Sequence, residues 1–117
     1  MKKMSETDML HAFLYAAGAA LPNLRLFRRN VGVVKLENRV LRAGIKGQAD
    51  LYGYERGTGR AVEIEIKLFG KLTPEQERWR DWCREWGVRW LLLAARKEEA
   101  TGETLTRWVK ETREAMT

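Results

Sequence analysis

The stretch Ala61-Val62-Glu63-Ile64-Glu65-Ile66-Lys67 alternates apolar and charged residues without a break. Such alternation predicts a β-strand whose side chains point to opposite faces at a period of two. Val62, Ile64 and Ile66 then face a core, while Glu63, Glu65 and Lys67 stand in one row on the other side, neighbours about 6–7 Å apart. An ordinary solvated strand face carries this pattern, and so does a metal-dependent phosphodiesterase site. The flanking residues bear on which it is.

Upstream, Gln48 to Tyr54 reads as a second strand and Arg56-Gly57-Thr58-Gly59 as the tight turn between the two. A turn centred between Gly57 and Thr58, with a loop of two residues or of four, sets Asp50 directly opposite Glu65, Tyr52 opposite Glu63 and Leu51 opposite Ile64. Opposite side chains share a face, with Cβ atoms about 4.5–5.5 Å apart. Two carboxylates that close repel unless a cation or a proton lies between them. Neutralisation by Lys67 and nearby arginines is the plainer reading, and a three-residue loop or a bulge would shift the register. An Asp facing a Glu, with a Lys two residues beyond, also suits a hard divalent ion such as Mg²⁺ or Mn²⁺ held by carboxylates, a backbone carbonyl and waters. Such an ion polarises a phosphodiester oxygen and lowers the pKa of a bound water. Lys67 would orient that water or stabilise developing negative charge.

Downstream, Thr73-Pro74-Glu75-Gln76 predicts a helix start, with a Thr cap, Pro at the first position and Gln at the third. That helix runs to about Trp86 and stops at Gly87. Val88 to Ala95 is a buried strand, and a charged amphipathic helix covers roughly Gly102 to Ala115. At the other end, Ser5 to about Leu21 is a helix with Ser5 and Asp8 as a capping pair, and Glu6 sits in its first turn, where the helix dipole favours an acid. Leu24 to Asn30 and Val31 to Lys35 form one or two strands, Arg39 to Arg42 a short one, and Ala43 to Gly47 a basic loop. The order predicts one α/β domain spanning residues 1–117, a central mixed sheet flanked by helices. Trp79, Trp82 and Trp86 recur at helical spacing, with Trp90 and Trp108 beyond. Core or subunit interface is their commoner use, base stacking the rarer one. His11 and Cys83 read as packing residues.

The chain has 22 Lys and Arg against 16 Asp and Glu, a formal charge of +6. That balance points to a polyanionic partner, nucleic acid before a membrane surface. Its one cysteine excludes an internal disulfide and a Cys-rich zinc site. No apolar run approaches the ~20 residues of a membrane span and no signal-peptide core opens the chain, so a cytoplasmic protein is expected.

The segment GQADLYGYERGTGRAVEIEIKLFGKLTPEQERWRDWCREWGVRWLLL, Gly47 to Leu93, resembles the nuclease superfamily whose signature is an Asp followed by Glu-x-Lys. Within it, the chain most resembles the virus-type replication-repair nuclease (VRR-NUC) domains. Gly47-Gln48-Ala49-Asp50-Leu51, Glu65-Ile66-Lys67 and Gly70-Lys71-Leu72-Thr73-Pro74-Glu75-Gln76 match in order and spacing, and Gly87-Val88 fits the turn into the next strand. The likeness is close over residues 44–93 and loose over the N-terminal third. One departure is Ala49, where many relatives carry Pro, a residue that would shape the strand rather than touch metal.

The resemblance implies a restriction-endonuclease-like core and metal-dependent cleavage of DNA. Asp50, Glu65 and the Ile66 backbone carbonyl would be metal ligands, Lys67 the catalytic base or electrostatic partner, and Gln76 a supporting residue that also fits as the capping partner of Thr73. The family's first-helix acid maps to Glu6, with Asp8 as the option, and Glu63 is a further candidate acid on the same face. Arg28, Arg29, Lys35, Arg39, Arg42, Lys46 and Lys71 would form a DNA track that positions phosphates. Stand-alone members act as homodimers on branched DNA such as Holliday junctions. Two alternatives stay open: a non-catalytic basic module that binds nucleic acid in a replication or packaging complex, and a restriction or defence enzyme, against which the lack of an evident target-recognition segment counts.

Overall fold

The hairpin forms in the expected register, Leu51 pairing with Ile64, Tyr52 with Glu63, Gly53 with Val62 and Tyr54 with Ala61. Its loop spans residues 56–59, closed by a hydrogen bond from Glu55 N to Arg60 O of 2.9 Å, and Gly57 and Gly59 supply the positive φ angles that such a turn requires. The structure is a computed structural model that describes residues 4–30, 33–42 and 44–117, without the side chains of 33–35 and 40–42.

In chain order the elements are α1 (Glu6–Ala20), β1 (Leu24–Arg28), β2 (Val33–Leu36), β3 (Arg39–Arg42), β4 (Leu51–Glu55), β5 (Ala61–Lys67), α2 (Pro74–Glu85), β6 (Arg89–Ala94) and α3 (Thr101–Ala115). Four strands make a mixed sheet in the order β1-β4-β5-β6, with β5 and β6 parallel across the α2 crossover. β2 and β3 pair only with each other. The segment expected over Val31 to Lys35 thus belongs to a separate hairpin, and its residues 31 and 32 lie outside the described ones. β4 starts at Leu51 rather than Gln48 because Asp50 turns out of the ladder, although its carbonyl still accepts from Arg29 N at 2.8 Å.

The two faces of β5 are both covered. Val62, Ile64 and Ile66 are fully buried in a cluster with Leu51, Leu93, Phe13 of α1 and Trp108 of α3. Phe13 and Trp108 meet edge to face at 6.1 Å, a geometry that suits the aromatic quadrupole. α3 is fastened to the end of β6, since Arg107 and the Trp108 indole both donate to the Ala94 carbonyl, at 2.6 and 3.1 Å. The opposite face, the side of Glu63 and Glu65, lies under α2. The expected helix caps both form: Ser5 with Asp8 on α1 and Thr73 with Gln76 on α2. The result is a sheet with helices on each side, the architecture in which a central strand is buried on both faces. Among the described residues no helix is long and apolar enough to cross a membrane.

Candidate active site

Gln76, Trp79 and Cys83 sit at i, i+3 and i+7 on α2, one helical face, and the first two meet the acidic row of β5. Three residues advance about 4.5 Å along a helix and two residues about 6.6 Å along a strand. Successive acids therefore meet successive helix positions: Gln76 Nε2 donates to Glu65 Oε1, and Trp79 Nε1 donates to Glu63 Oε1 at 2.8 Å. A row that looks solvated in the sequence is thus roofed over, leaving Glu63 7% and Glu65 3% exposed. Such carboxylates need donors or a cation, and the two obtain different ones.

Glu63 is fully committed. Arg29 grips it with two parallel bonds, Nη1 to Oε1 at 2.5 Å and Nη2 to Oε2 at 2.6 Å, the fork geometry that suits a guanidinium. Arg29 Nη1 also donates to the Ala49 carbonyl at 3.1 Å, and its guanidinium lies 4.9 Å from the Tyr52 ring centre. The residue expected in the DNA track is therefore held inside the protein by the residue expected as an extra acid. The sequence carries a faint sign of this: Glu63 faces Tyr52 across the hairpin, but nothing local says that Arg29 folds onto both.

Glu65 has no such partner. Asp50 and Glu65 adjoin as the hairpin register requires, each carboxylate bonded to the other strand's backbone: Asp50 N donates to Glu65 Oε2 at 3.1 Å, and Ile66 N donates to Asp50 Oδ2 at 2.8 Å. In a strand a residue's N–H and C=O point toward the same edge, so the Ile66 carbonyl is directed to the Asp50 side as well. Among the described residues neither Asp50 nor Glu65 is ion-paired with Lys or Arg. Burial, and then the Asp50 charge beside it, pushes the Glu65 carboxyl up to about 8. The plain reading, neutralisation by basic neighbours, does not describe this pair.

Asp50, Glu65, Gln76 and Glu6 line one open cleft of about 530 Å³, rimmed by Arg28 and Lys46. Glu6 Oε2 lies 3.5 Å from Leu68 N, while Asp8, the optional acid, is used by the cap of α1. Lys67 lies on the same strand face as Glu65 but lines the adjoining hollow with Lys71 and Arg80, where its charge still acts on Glu65. Gln76 serves in both of its candidate roles, its Oε1 accepting from Thr73 N at 2.9 Å while its amide nitrogen holds Glu65. No group of three or more His, Cys, Asp or Glu converges among the described residues, so the donors on offer to an ion are two carboxylates and one carbonyl.

The basic residues divide. Arg28 reaches His11 Nε2 at 3.2 Å, so His11, expected as a packing residue, is instead exposed beside Arg28. Lys46 makes an exposed pair with Glu75 at 3.5 Å, Lys71 borders the second hollow, and Arg39 is exposed on the β2–β3 hairpin. The side chains of Lys35 and Arg42 lie outside the described residues. Cys83 is buried as expected, its thiol pushed up to about 12 chiefly by burial, which leaves it unreactive.

Gly47 keeps this assembly closed. Its φ is +95°, and a Cβ there would come within 2.4 Å of the Glu75 carbonyl oxygen and 2.9 Å of Gln76 N. Gly47→Ala is expected to cost about 1–3 kcal/mol in backbone strain and to push the first turn of α2, with Gln76, off Glu65. Urea melts should show the loss of stability, and any activity should fall further than the lost folded fraction explains.

No family model matches this chain, and neither the curated proteins nor the solved structures contain a match to it.

Proposed function

We propose that the chain is a divalent-metal-dependent endonuclease that hydrolyses DNA phosphodiesters, built on a restriction-endonuclease-like core and selective for branched DNA. The observation that carries this reading is the Asp50–Glu65 pair: adjoining carboxylates, one almost removed from water, without an ion-paired Lys or Arg among the described residues, open to a cleft with a basic rim. The donor set fits a hard ion that keeps several waters, as Mg²⁺ and Mn²⁺ do. Asp50, Glu65 and the Ile66 carbonyl would hold it, and when bound it would polarise the scissile phosphate and make a bound water more acidic.

The chain's own residues do the rest. Gln76 fixes the rotamer of Glu65 through Oε1, and the Asp50 carboxylate is set by Ile66 N. Arg28 and Lys46 at the rim suit phosphate oxygens on either side of the cleft. Lys67 stabilises negative charge from the adjoining hollow. Two copies related by a two-fold axis would cut both strands of a junction.

The position of Lys67 outside the cleft favours a second reading, a non-catalytic basic module that binds nucleic acid. Cleavage assays with Mg²⁺ and with Mn²⁺ on junction, flap and linear DNA separate the two. Lys67→Ala should lower cleavage by about 10²–10³-fold while leaving DNA affinity within about threefold, because its loss removes at most one phosphate contact. A wild-type protein that leaves every substrate uncut gives the answer to the binding module.

A further inference from the structure

Beside the cleft runs a line of planar side chains whose middle, Arg29 and Trp79, is engaged with Glu63 and whose ends are exposed. On the part of the sheet that α2 does not cover, Phe27 of β1 stacks on Tyr52 of β4 at 5.6 Å between ring centres. The Arg29 guanidinium follows, 4.9 Å from Tyr52 and 5.9 Å from Trp79. Along α2, Trp79 stacks on Trp82 at 4.7 Å, and Trp82 lies 6.0 Å from Trp86. These rings are not interior: Phe27 is 41%, Trp82 44% and Trp86 70% exposed. Of the two uses expected for the tryptophans, core or subunit interface, Trp108 has the first and is fully buried, while Trp82 and Trp86 stand outside the core. Exposed large aromatics in a contiguous patch mark a binding surface.

We propose that this line is a stacking track for the unpaired bases of single-stranded DNA, leading to the Asp50–Glu65 cleft. Three observations select that partner. The groups are planar and those at the ends, Phe27, Trp82 and Trp86, present exposed ring area, which suits nucleobases of any sequence. The line starts on a cation, the Arg25 guanidinium 5.7 Å from Phe27, and the acid beneath its middle, Glu63, is neutralised by Arg29, so no net negative charge opposes a phosphate backbone there. Finally, Arg29 is also a lining residue of the cleft, so the track and the cleft share a wall. The inference rests on the nuclease reading only for where the strand is delivered, and it narrows the substrate class to DNA with an unpaired segment.

The test is binding without divalent ion. The 117-residue chain is titrated with oligo(dT) and with an abasic oligomer of equal length and charge, followed by tryptophan quenching and by anisotropy of the labelled oligomer. Wild type should bind oligo(dT) at least tenfold more tightly than the abasic strand. Trp82→Ala and Trp86→Ala, at exposed positions that leave the core intact, should each erase most of that preference without changing abasic binding, and Trp86→Phe should keep most of it. Equal affinity for the two oligomers, or a preference that survives both alanine variants, overturns the proposal. So does a dimer in sedimentation that Trp86→Ala dissociates while base preference stays unchanged, since the line is then a subunit interface. A protein that prefers bases but cuts no DNA sinks the nuclease reading and leaves the track standing; one that cuts without base preference does the reverse.

Discussion

Asp50→Asn is expected to abolish cleavage, by on the order of 10³-fold, and at the same time to make the metal-free protein more stable at alkaline pH. The asparagine keeps an oxygen for Ile66 N and gains an amide that can donate to Glu65, so it removes a charge without orphaning its neighbours. In the wild type, Glu65 is pushed up to about 8 by burial and by Asp50, above the ordinary 4.5. Between those values the folded protein holds more proton than the unfolded chain, so stability falls as pH rises from about 4.5 to about 8 and levels off beyond. Below 4.5 both states are protonated and the penalty vanishes. Asp50→Asn takes away the charge that Glu65 feels and should flatten this slope.

A divalent ion acts on the same pair from the other direction. On the proposed reading it would bind the deprotonated carboxylates, so its stabilisation of the fold should grow with pH up to about 8. At a hundred times its Kd the ion adds about 2.7 kcal/mol, an increment that Asp50→Asn should lose. Thermal melts of both proteins at several pH values, with EDTA and with Mn²⁺, read all of these effects. An identical Mn²⁺ shift in the two proteins would remove Asp50 from the ligand set.

Arg29→Ala should be the most destabilising of the arginine substitutions. It leaves Glu63, 7% exposed, with Trp79 as its remaining side-chain donor, and stranding one member of a buried ion pair costs about 3–5 kcal/mol. It also removes the cation from between Tyr52 and Trp79. Arg29→Met combined with Glu63→Leu should recover most of that loss, because no unpaired charge is then left inside. Urea titrations of the two single variants and the double one form the cycle that measures the coupling. Were Arg29 chiefly a phosphate contact, Arg29→Ala would weaken DNA binding at unchanged stability.

The pairing of Asp50 with Glu65 was legible because a strand's period of two leaves little freedom once the turn is placed. Gly57 and Gly59 place it, and Leu51 opposite Ile64 then puts the two acids side by side. The helix caps were legible for a similar reason, since Ser5 with Asp8 and Thr73 with Gln76 act over three residues. The roof over the acidic row was not, because alternation reports only that two faces differ and says nothing of what covers the polar one. Glu63 and Lys67 belong to the same alternating row as Glu65, yet one is locked to Arg29 and the other borders a different hollow. Those outcomes depend on where α2 and the end of β1 come to lie, contacts between residues 11 to 34 apart in the chain. The strands β2 and β3 were expected, but their separation from the main sheet was not, because four residues each give no face pattern that says what they pair with.

Gln76 carries one side chain across two tasks, closing the first turn of α2 on Thr73 and steadying Glu65. Helix ends are ordinarily the first parts of a protein to fray, opening and closing many times while the body stays folded. Here each such opening also frees Glu65 Oε1, leaving Asp50 N on Oε2 as the remaining tether, so the local stability of one helical turn sets how long the carboxylate is held at both oxygens. Tightening that turn would hold Gln76 on Glu65 for more of the time, and loosening it would act as a dimmer on that contact.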